Sequence, residues 1–308
     1  MQVILGSSGQ IGHGLAESLS LEFTTDLRLV SRRPQRVNPG DSLHPADLLD
    51  AAQTLAAVKG AEVAYLTAGL PMDTALWEAQ WPRIMRNVIE ACAAHGARLV
   101  FFDNTYMYPQ TETPQTEDTA FAPFGPKGRV RAAIATALLD AMSAGRVEAM
   151  ICRAPEFYGP AKTQSITNSA LIDPLLRGQT ARVFLRDDTL RSLIFTPDAS
   201  RAMALLGNTR DAYGQTWHLP CDDGRLTYRA LVALAATVFS VKGRYRVLPR
   251  WQLALAGLFN RQLRDAAELL PRYAHDNLFV SDKFKRRFDG FRVTTLHEGL
   301  IAIREAAR

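Results

Sequence analysis

Short apolar runs alternate with amphipathic stretches through the first half of the chain. Val3 to Leu5, Leu27 to Val30, Val63 to Leu66, Leu99 to Phe102 and Met150 to Cys152 are brief, bounded and apolar at successive positions, as strands buried on both faces require. Between them, Ile11 to Leu21, Leu48 to Val58, Ile84 to Ala94 and Val130 to Met142 repeat apolar residues at helical spacing, and the third runs into Gly96 as a stop signal. This alternation predicts an α/β fold, a doubly wound parallel sheet with helices on both faces.

After Tyr158-Gly159-Pro160 the rhythm changes. Residues 161 to 190 read as a loop, a helix around Ser169 to Arg177 and a strand at Arg182 to Leu185. A strand at Leu193 to Phe195, a helix at Pro197 to Leu206 and a strand at Gln215 to Leu219 follow. The remainder reads as mainly helical, with Thr227 capping Arg229 to Phe239 and a last helix after Thr294-Thr295. The expected organisation is a sheet domain over 1–160, rejoined by 190–220, and a smaller, mainly helical lobe from 161–189 and 221–308.

With 47% apolar and 22% charged residues in 308, the composition is that of an ordinary globular protein. The first residues, Met1-Gln2-Val3-Ile4-Leu5, turn at once into glycines and lack a basic, then apolar, secretion leader. No apolar run approaches the roughly 18 to 20 residues needed to span a bilayer. Cys92, Cys152 and Cys221 lie far apart and without CxxC spacing, which speaks against a disulfide framework and a zinc site. A cytoplasmic protein with no metal fits best. The net charge of +5 raises nucleic acid as a partner, but the arginines are scattered. The one cluster noted, Lys283 to Arg287, lacks an aromatic stacking platform and reads as a solvated helix end. Neither a nucleic-acid nor a membrane partner is expected.

Gly6-Ser7-Ser8-Gly9-Gln10-Ile11-Gly12 follows the first predicted strand and opens the first helix. Glycine at the first position permits a tight turn, at the second lets backbone amides approach a pyrophosphate, and at the third lets helix pack closely on strand. The helix N-terminus adds N–H groups and a positive dipole end. About 20 residues beyond Gly12 the second strand ends in Ser31-Arg32-Arg33, where dinucleotide folds choose between a ribose hydroxyl and a ribose phosphate. An acid there favours NAD. An arginine fork suits a 2′-phosphate, so the spacing predicts NADP(H), with NAD as the alternative, held by Gly6, Ser8, Gly9, Gln10, Ile11, Gly12, Arg32 and Arg33.

With these features, the chain resembles an extended short-chain dehydrogenase/reductase of the NAD-dependent epimerase/dehydratase family over nearly its whole length. Asp47-Leu48 resembles the acid such proteins place by the adenine, and Leu66-Thr67-Ala68-Gly69 their HLAA segment beside the cofactor ribose. Asn87 sits where the family has a helix asparagine. Arg153-Ala154-Pro155-Glu156-Phe157-Tyr158-Gly159-Pro160 is similar to RxFNVYGP near the nicotinamide, and Arg191 with Phe195-Thr196-Pro197-Asp198 resembles RDFVYVDD. The resemblance implies that Asp47, Leu48, Ala68, Gly69, Asn87, Lys127, Pro155 and Phe157 attend a dinucleotide in a Rossmann domain. It further implies that Glu156, Tyr158 and Arg191 meet a small-molecule substrate and that two helices of the first lobe form a homodimer. Asp47 serves equally as a helix N-cap, Asn87 as a tie from helix to loop, Glu156 as a solvated loop acid, and Arg191 as a partner of Asp187 or Asp188.

The family's chemistry uses a Ser or Thr, a Tyr, and a Lys four residues after that Tyr, whose charge lowers the phenol pKa from about 10. Val100-Phe101-Phe102-Asp103-Asn104-Thr105-Tyr106-Met107-Tyr108-Pro109 aligned with VYxSSAxVYG puts Asn104 at the hydroxyl position with Thr105 beside it. The YxxxK position falls on Lys127-Gly128-Arg129-Val130-Arg131. Arginine cannot serve as a general acid. Tyr106, Tyr108 or Tyr158 could supply a displaced acid, and Asp103 or Glu156 a base; Tyr108 and Tyr158 read equally as packing aromatics. Two readings stand: an atypical oxidoreductase or epimerase on a carbonyl or sugar-nucleotide-like molecule, with Asn104, Thr105, Tyr106, Lys127 and Arg131 at its centre, and a catalytically inactive NADP(H)-binding sensor.

Overall fold

The computed structural model describes residues 1–161, 165–259, 264–265 and 267–307, and divides the chain into two compact units. Residues 162–164, in the loop expected to open the 161–190 stretch, lie outside the described residues.

The first unit comprises Met1–Asn104, Pro126–Arg153 and Ala199–Leu219. Its strands are β1 (Gln2–Leu5), β2 (Leu27–Ser31), β3 (Ser42–Pro45), β4 (Val63–Leu66), β5 (Arg98–Asp103), β6 (Ala149–Arg153) and a seventh at Thr216–His218. All pair in parallel, in the order seventh, β6, β5, β4, β1, β2, β3. Every residue of β1, β4 and β6 is buried, which is why these strands read as continuous apolar runs rather than alternating ones. The flanking helices include α1 (Gln10–Glu22), α2 (Ala51–Val58), α3 (Thr74–His95) and α4 (Gly125–Ser143). The expected doubly wound fold is the observed one.

Three departures have physical causes. Strand β3 escaped notice because its side chains are largely exposed; as the end strand of the sheet it needs backbone pairing to β2 rather than an apolar pattern. Helix α3 begins ten residues before the expected Ile84: Asp73 caps it by accepting from Leu76 N at 3.0 Å, and Trp77 and Trp81 extend its buried stripe past Pro82. Helix α4 begins at Gly125 rather than Val130, since its first turns bury Lys127 and Arg131 and so hide the amphipathic signal.

The second unit comprises Thr105–Gly125, Ala154–Asp198 and Pro220–Arg308. Among the described residues it contains three strand pairs: Glu156–Tyr158 with Leu193–Phe195, Leu190–Arg191 with Leu226–Thr227, and Ala181–Phe184 with Tyr245–Leu248. The last of these strands lies in a stretch expected to be helical. Helices Tyr228–Phe239 and Leu296–Ala306 flank a core that includes Leu171, Val183, Leu231 and Leu300. Thr227 caps the first by accepting from Ala230 N, and Thr295 forms a reciprocal capping box with Glu298 in the second.

Candidate functional site

Strand order runs outward in both directions from β1 and β4, so the loops at their carboxyl ends flank the switch point of the sheet. The glycine turn occupies one side of it. Gly6 has φ 102°, a conformation open to glycine, and a Cβ there would overlap the Ala68 backbone after β4. A Cβ on Gly12 would lie 2.7 Å from Gly6 O, so helix and turn meet through glycine alone. Gly9 differs: a Cβ there would meet Gly6 O at an ordinary 3.5 Å. Nothing among the described residues demands glycine at that position, whereas a ligand approaching the backbone would. Gly9 opens α1 with no side-chain cap and no acid in the first turn among the described residues, and a helix end of this kind carries a partial positive charge that favours anions.

Ser8 ties the turn to the end of β2, its Oγ lying 2.7 Å from Ser31 Oγ and donating to Arg33 O at 3.3 Å. Arg32 and Arg33 follow, both exposed. Asp47 is not the cap of α2. That cap is Asp50, which accepts from Gln53 N at 2.9 Å, while Asp47 turns back to accept from Leu49 N at 3.0 Å. Asn87 is buried in α3 and donates from Nδ2 to Leu48 O at 2.9 Å, the helix-to-loop tie. Leu66-Thr67-Ala68-Gly69 is drawn onto the turn, with Thr67 N donating to Leu5 O at 2.9 Å and Gly69 exposed beyond it.

The positions aligned with the tyrosine and lysine hold buried cations. Lys127 is fully buried and donates from Nζ to Thr74 Oγ1 at 2.6 Å. Arg131 donates through Nε to Asp103 Oδ1 at 2.8 Å and pairs with the same oxygen through Nη2; its guanidinium lies 4.7 Å from the Trp81 ring centroid. Asp103 Oδ2 accepts from Arg153 Nε at 3.3 Å. The carboxylate of Asp103 thus faces two buried guanidinium groups as their counter-ion, and Arg131 spends its Nε and Nη2 donors on it. Asn104 follows half-buried, its backbone N–H donating to Asp103 Oδ1 at 2.8 Å.

In the second unit, Glu156 is buried rather than solvated. It accepts from Arg191 Nη2 at 3.2 Å, Thr167 Oγ1 at 2.6 Å and Tyr273 OH at 3.2 Å. Burial pushes its carboxyl up, but the Arg191 and Arg272 charges and the Thr167 hydrogen bond outweigh this and hold it below the usual range. Arg191, 1% exposed, lies 4.8 Å from the Tyr273 ring centroid and donates to Arg272 O at 2.8 Å. Both alternatives for it change: Asp187 pairs with Arg229 and Asp188 with Arg186, and the guanidinium is enclosed rather than presented. Tyr158 is a core residue against Phe195, its phenol pushed up by burial; Tyr108 is equally buried and packs on Phe121. Pro155 is buried and Phe157 half-buried on the same segment.

Tyr106 has a different setting. Its half-buried ring lies 5.3 Å from the Arg272 guanidinium, which donates from Nη2 to Thr105 Oγ1 at 3.4 Å. Both line a cleft of the second unit with Gln110, Gln115 and Asn277. The side-chain oxygens of these three amides are buried and accept no hydrogen bond among the described residues, which is costly unless a donor arrives. Sequence reading missed Arg272 and the amides because single polar residues in loops carry no periodic signal.

Residues 2–218 match the profile of the NAD dependent epimerase/dehydratase family. None of the curated proteins compared matches the sequence. Among solved structures, the chain is similar to MoeE5 in complex with UDP-glucose and NAD, at 21% identity and TM-score 0.78 over 100% of this chain and 98% of that one. It is similar to UDP-glucuronic acid 4-epimerase from Bacillus cereus in complex with UDP-glucuronic acid and NAD, at 14% and 0.82 over 99% and 98%. A dTDP-glucose 4,6-dehydratase double mutant from Streptomyces venezuelae matches at 16% and 0.79 over 100% and 97%. At these identities the likeness is one of fold.

Proposed function

The chain belongs to the NAD dependent epimerase/dehydratase family, and from that premise we propose that it binds NADP(H) in preference to NAD(H) and uses it on a sugar-nucleotide-like or other carbonyl small molecule. The observation that carries the binding is the N-terminal turn, with Gly6 and Gly12 required by the fold and Gly9 open to a ligand. The uncapped start of α1 would face the pyrophosphate, and exposed Arg32, with Arg33 beside it, would fork onto a 2′-phosphate. Asp47, Leu48, Ala68, Gly69 and Asn87 would border the adenosine and ribose. Bound dinucleotide would supply hydride exchange.

Substrate recognition is assigned to the cleft of the second unit. Gln110, Gln115 and Asn277 line it with amide groups of the kind that bond sugar hydroxyls, and Arg272 suits a phosphate. Tyr106 is the phenol we assign to proton transfer, because Tyr108 and Tyr158 are core residues. A homodimer through α3 and α4 is supported by a groove lined by Met85, Ile89, Ile134 and Ala137. One observation favours a second reading, a non-catalytic sensor: Lys127 and Arg131 are buried where the family's proton relay would stand.

Titration calorimetry with NADPH and NADH on wild type and Arg32→Ala tests the first claim. We expect the preference for NADPH to fall by about 10- to 100-fold, since a charge-assisted pair contributes about 1.5–3 kcal/mol; an unchanged ratio sinks it. Turnover against a nucleotide-sugar panel, lost in Tyr106→Phe with Kd for NADPH retained, supports the enzyme. Tight NADPH binding with no turnover supports the sensor.

A further inference from the structure

One segment of this chain carries cations with no acids among them. Between Lys242 and Arg264 the sequence holds six Lys and Arg and no Asp or Glu. Those six exceed the +5 net charge of the whole chain, so the remainder is net −1. Within this segment runs the helix Arg250–Phe259. Leu253 and Gly257, four apart, are its buried side. Trp251, Leu255, Leu258 and Phe259 are 66%, 53%, 72% and 87% exposed. At about 100° per residue these four span an arc of roughly 100° on the side away from Leu253 and Gly257. A lone exposed leucine is unremarkable; two aromatics and two leucines in one stripe mark a surface that meets something apolar.

The preceding strand adds a second observation. Tyr245–Leu248 pairs in parallel with Ala181–Phe184, and the register sets Arg246 beside Arg182. Both are exposed. Like charges in register repel and weaken the pair, and an anionic surface over them would turn that repulsion into attraction.

We propose that the strand Tyr245–Leu248 and the helix Arg250–Phe259 form a peripheral docking element for an anionic lipid membrane surface. Trp251, Leu255, Leu258 and Phe259 enter the headgroup and acyl boundary, while Lys242, Arg244, Arg246 and Arg250 meet lipid phosphates. The helix lies on the bilayer: ten residues cover about half of the roughly 20 needed to span it, and no described helix is long and apolar enough to cross a membrane. Leu255 and Leu258 between the two aromatics extend the stripe with aliphatic surface that suits acyl chains rather than nucleic-acid bases, and the acid-free segment provides no ion-pair contacts for a basic protein partner. This sets aside the sequence-based expectation that no membrane is engaged.

Sedimentation of the full chain with phosphatidylcholine vesicles, with and without phosphatidylglycerol, tests the proposal. Wild type should pellet with the anionic vesicles and stay soluble with phosphatidylcholine alone. Arg244→Gln/Arg246→Gln should weaken binding about 25-fold, at about fivefold per cation, and added salt should do likewise. Leu255→Gln/Leu258→Gln, at exposed positions and with an unchanged Tm, should reduce it at least about tenfold. Quenching of tryptophan emission by brominated phosphatidylglycerol should disappear in Trp251→Phe. Absence of binding to anionic vesicles, equal binding to neutral ones, or unaltered binding by Leu255→Gln/Leu258→Gln overturns the proposal. So does a lipid-free dimer that the same variant converts to monomer, because a second copy then covers the stripe.

Discussion

Asp103→Asn separates a buried counter-ion from a catalytic base. The carboxylate is 1% exposed and faces Arg131, bonded at 2.8 Å through Nε, and Arg153 at 3.3 Å. Asparagine keeps the shape and removes the charge, leaving two buried guanidinium groups without their anion. Removing one partner of a buried pair costs about 3–5 kcal/mol. In a unit of about 150 residues each kcal/mol moves Tm by roughly 2–4 °C, so a fall of roughly 6–20 °C is expected. Differential scanning calorimetry measures it, and the second change in Asp103→Asn/Arg131→Met should restore part of the loss because it removes one of the two guanidinium charges that Asp103 faced. NADPH affinity measured below the transition should change little. If Asp103→Asn instead melts within about 2 °C of wild type while abolishing turnover, the carboxylate is a base and the counter-ion argument is wrong.

The glycines give a paired prediction: Gly12→Ala, with its Cβ 2.7 Å from Gly6 O, should lower Tm and dinucleotide affinity together, whereas Gly9→Ala should leave Tm unchanged and weaken NADPH binding at least about tenfold by blocking close backbone approach. Calorimetry of both variants checks this, and equal Tm losses would count against it. Glu156 provides a pH signature. Its carboxyl is held below the ordinary 4.5, so its stabilising effect is complete above that pH and fades as pH falls through the folded-state value. Wild type should therefore lose Tm more steeply than Glu156→Gln below pH 4.5 while exceeding it at neutral pH; parallel curves would refute the pairing with Arg191. Asn87→Ala, which removes the shorter of two side-chain hydrogen bonds to Leu48 O and leaves Thr54 Oγ1 at 3.3 Å, should cost about 0.5–1.5 kcal/mol by urea denaturation, and an unchanged stability would show the tie to be dispensable.

Local regularities carried the parallel sheet, the glycine turn and the capping of the last helices. Continuous apolar runs at Val3–Leu5 and Val63–Leu66 mark buried strands because both faces of such strands exclude water, and a turn such as Gly6 to Gly12 is specified by residues within a few positions of one another. The tertiary structure decided what the charged residues do. Lys127 and Arg131 could be aligned with a catalytic pair, and Glu156 and Arg191 with substrate ligands, yet each answers to partners far along the chain: Thr74 for Lys127, Asp103 for Arg131, and Glu156 and Arg191 for each other. The same holds for Arg272 against Tyr106 and for the outward face of Arg250–Phe259. Burial of apolar surface follows a short-range periodicity that a sequence displays, while the cost of a buried charge is offset by whichever opposite charge or hydroxyl the fold brings within about 3 Å, and that pairing exists only once the chain has closed on itself.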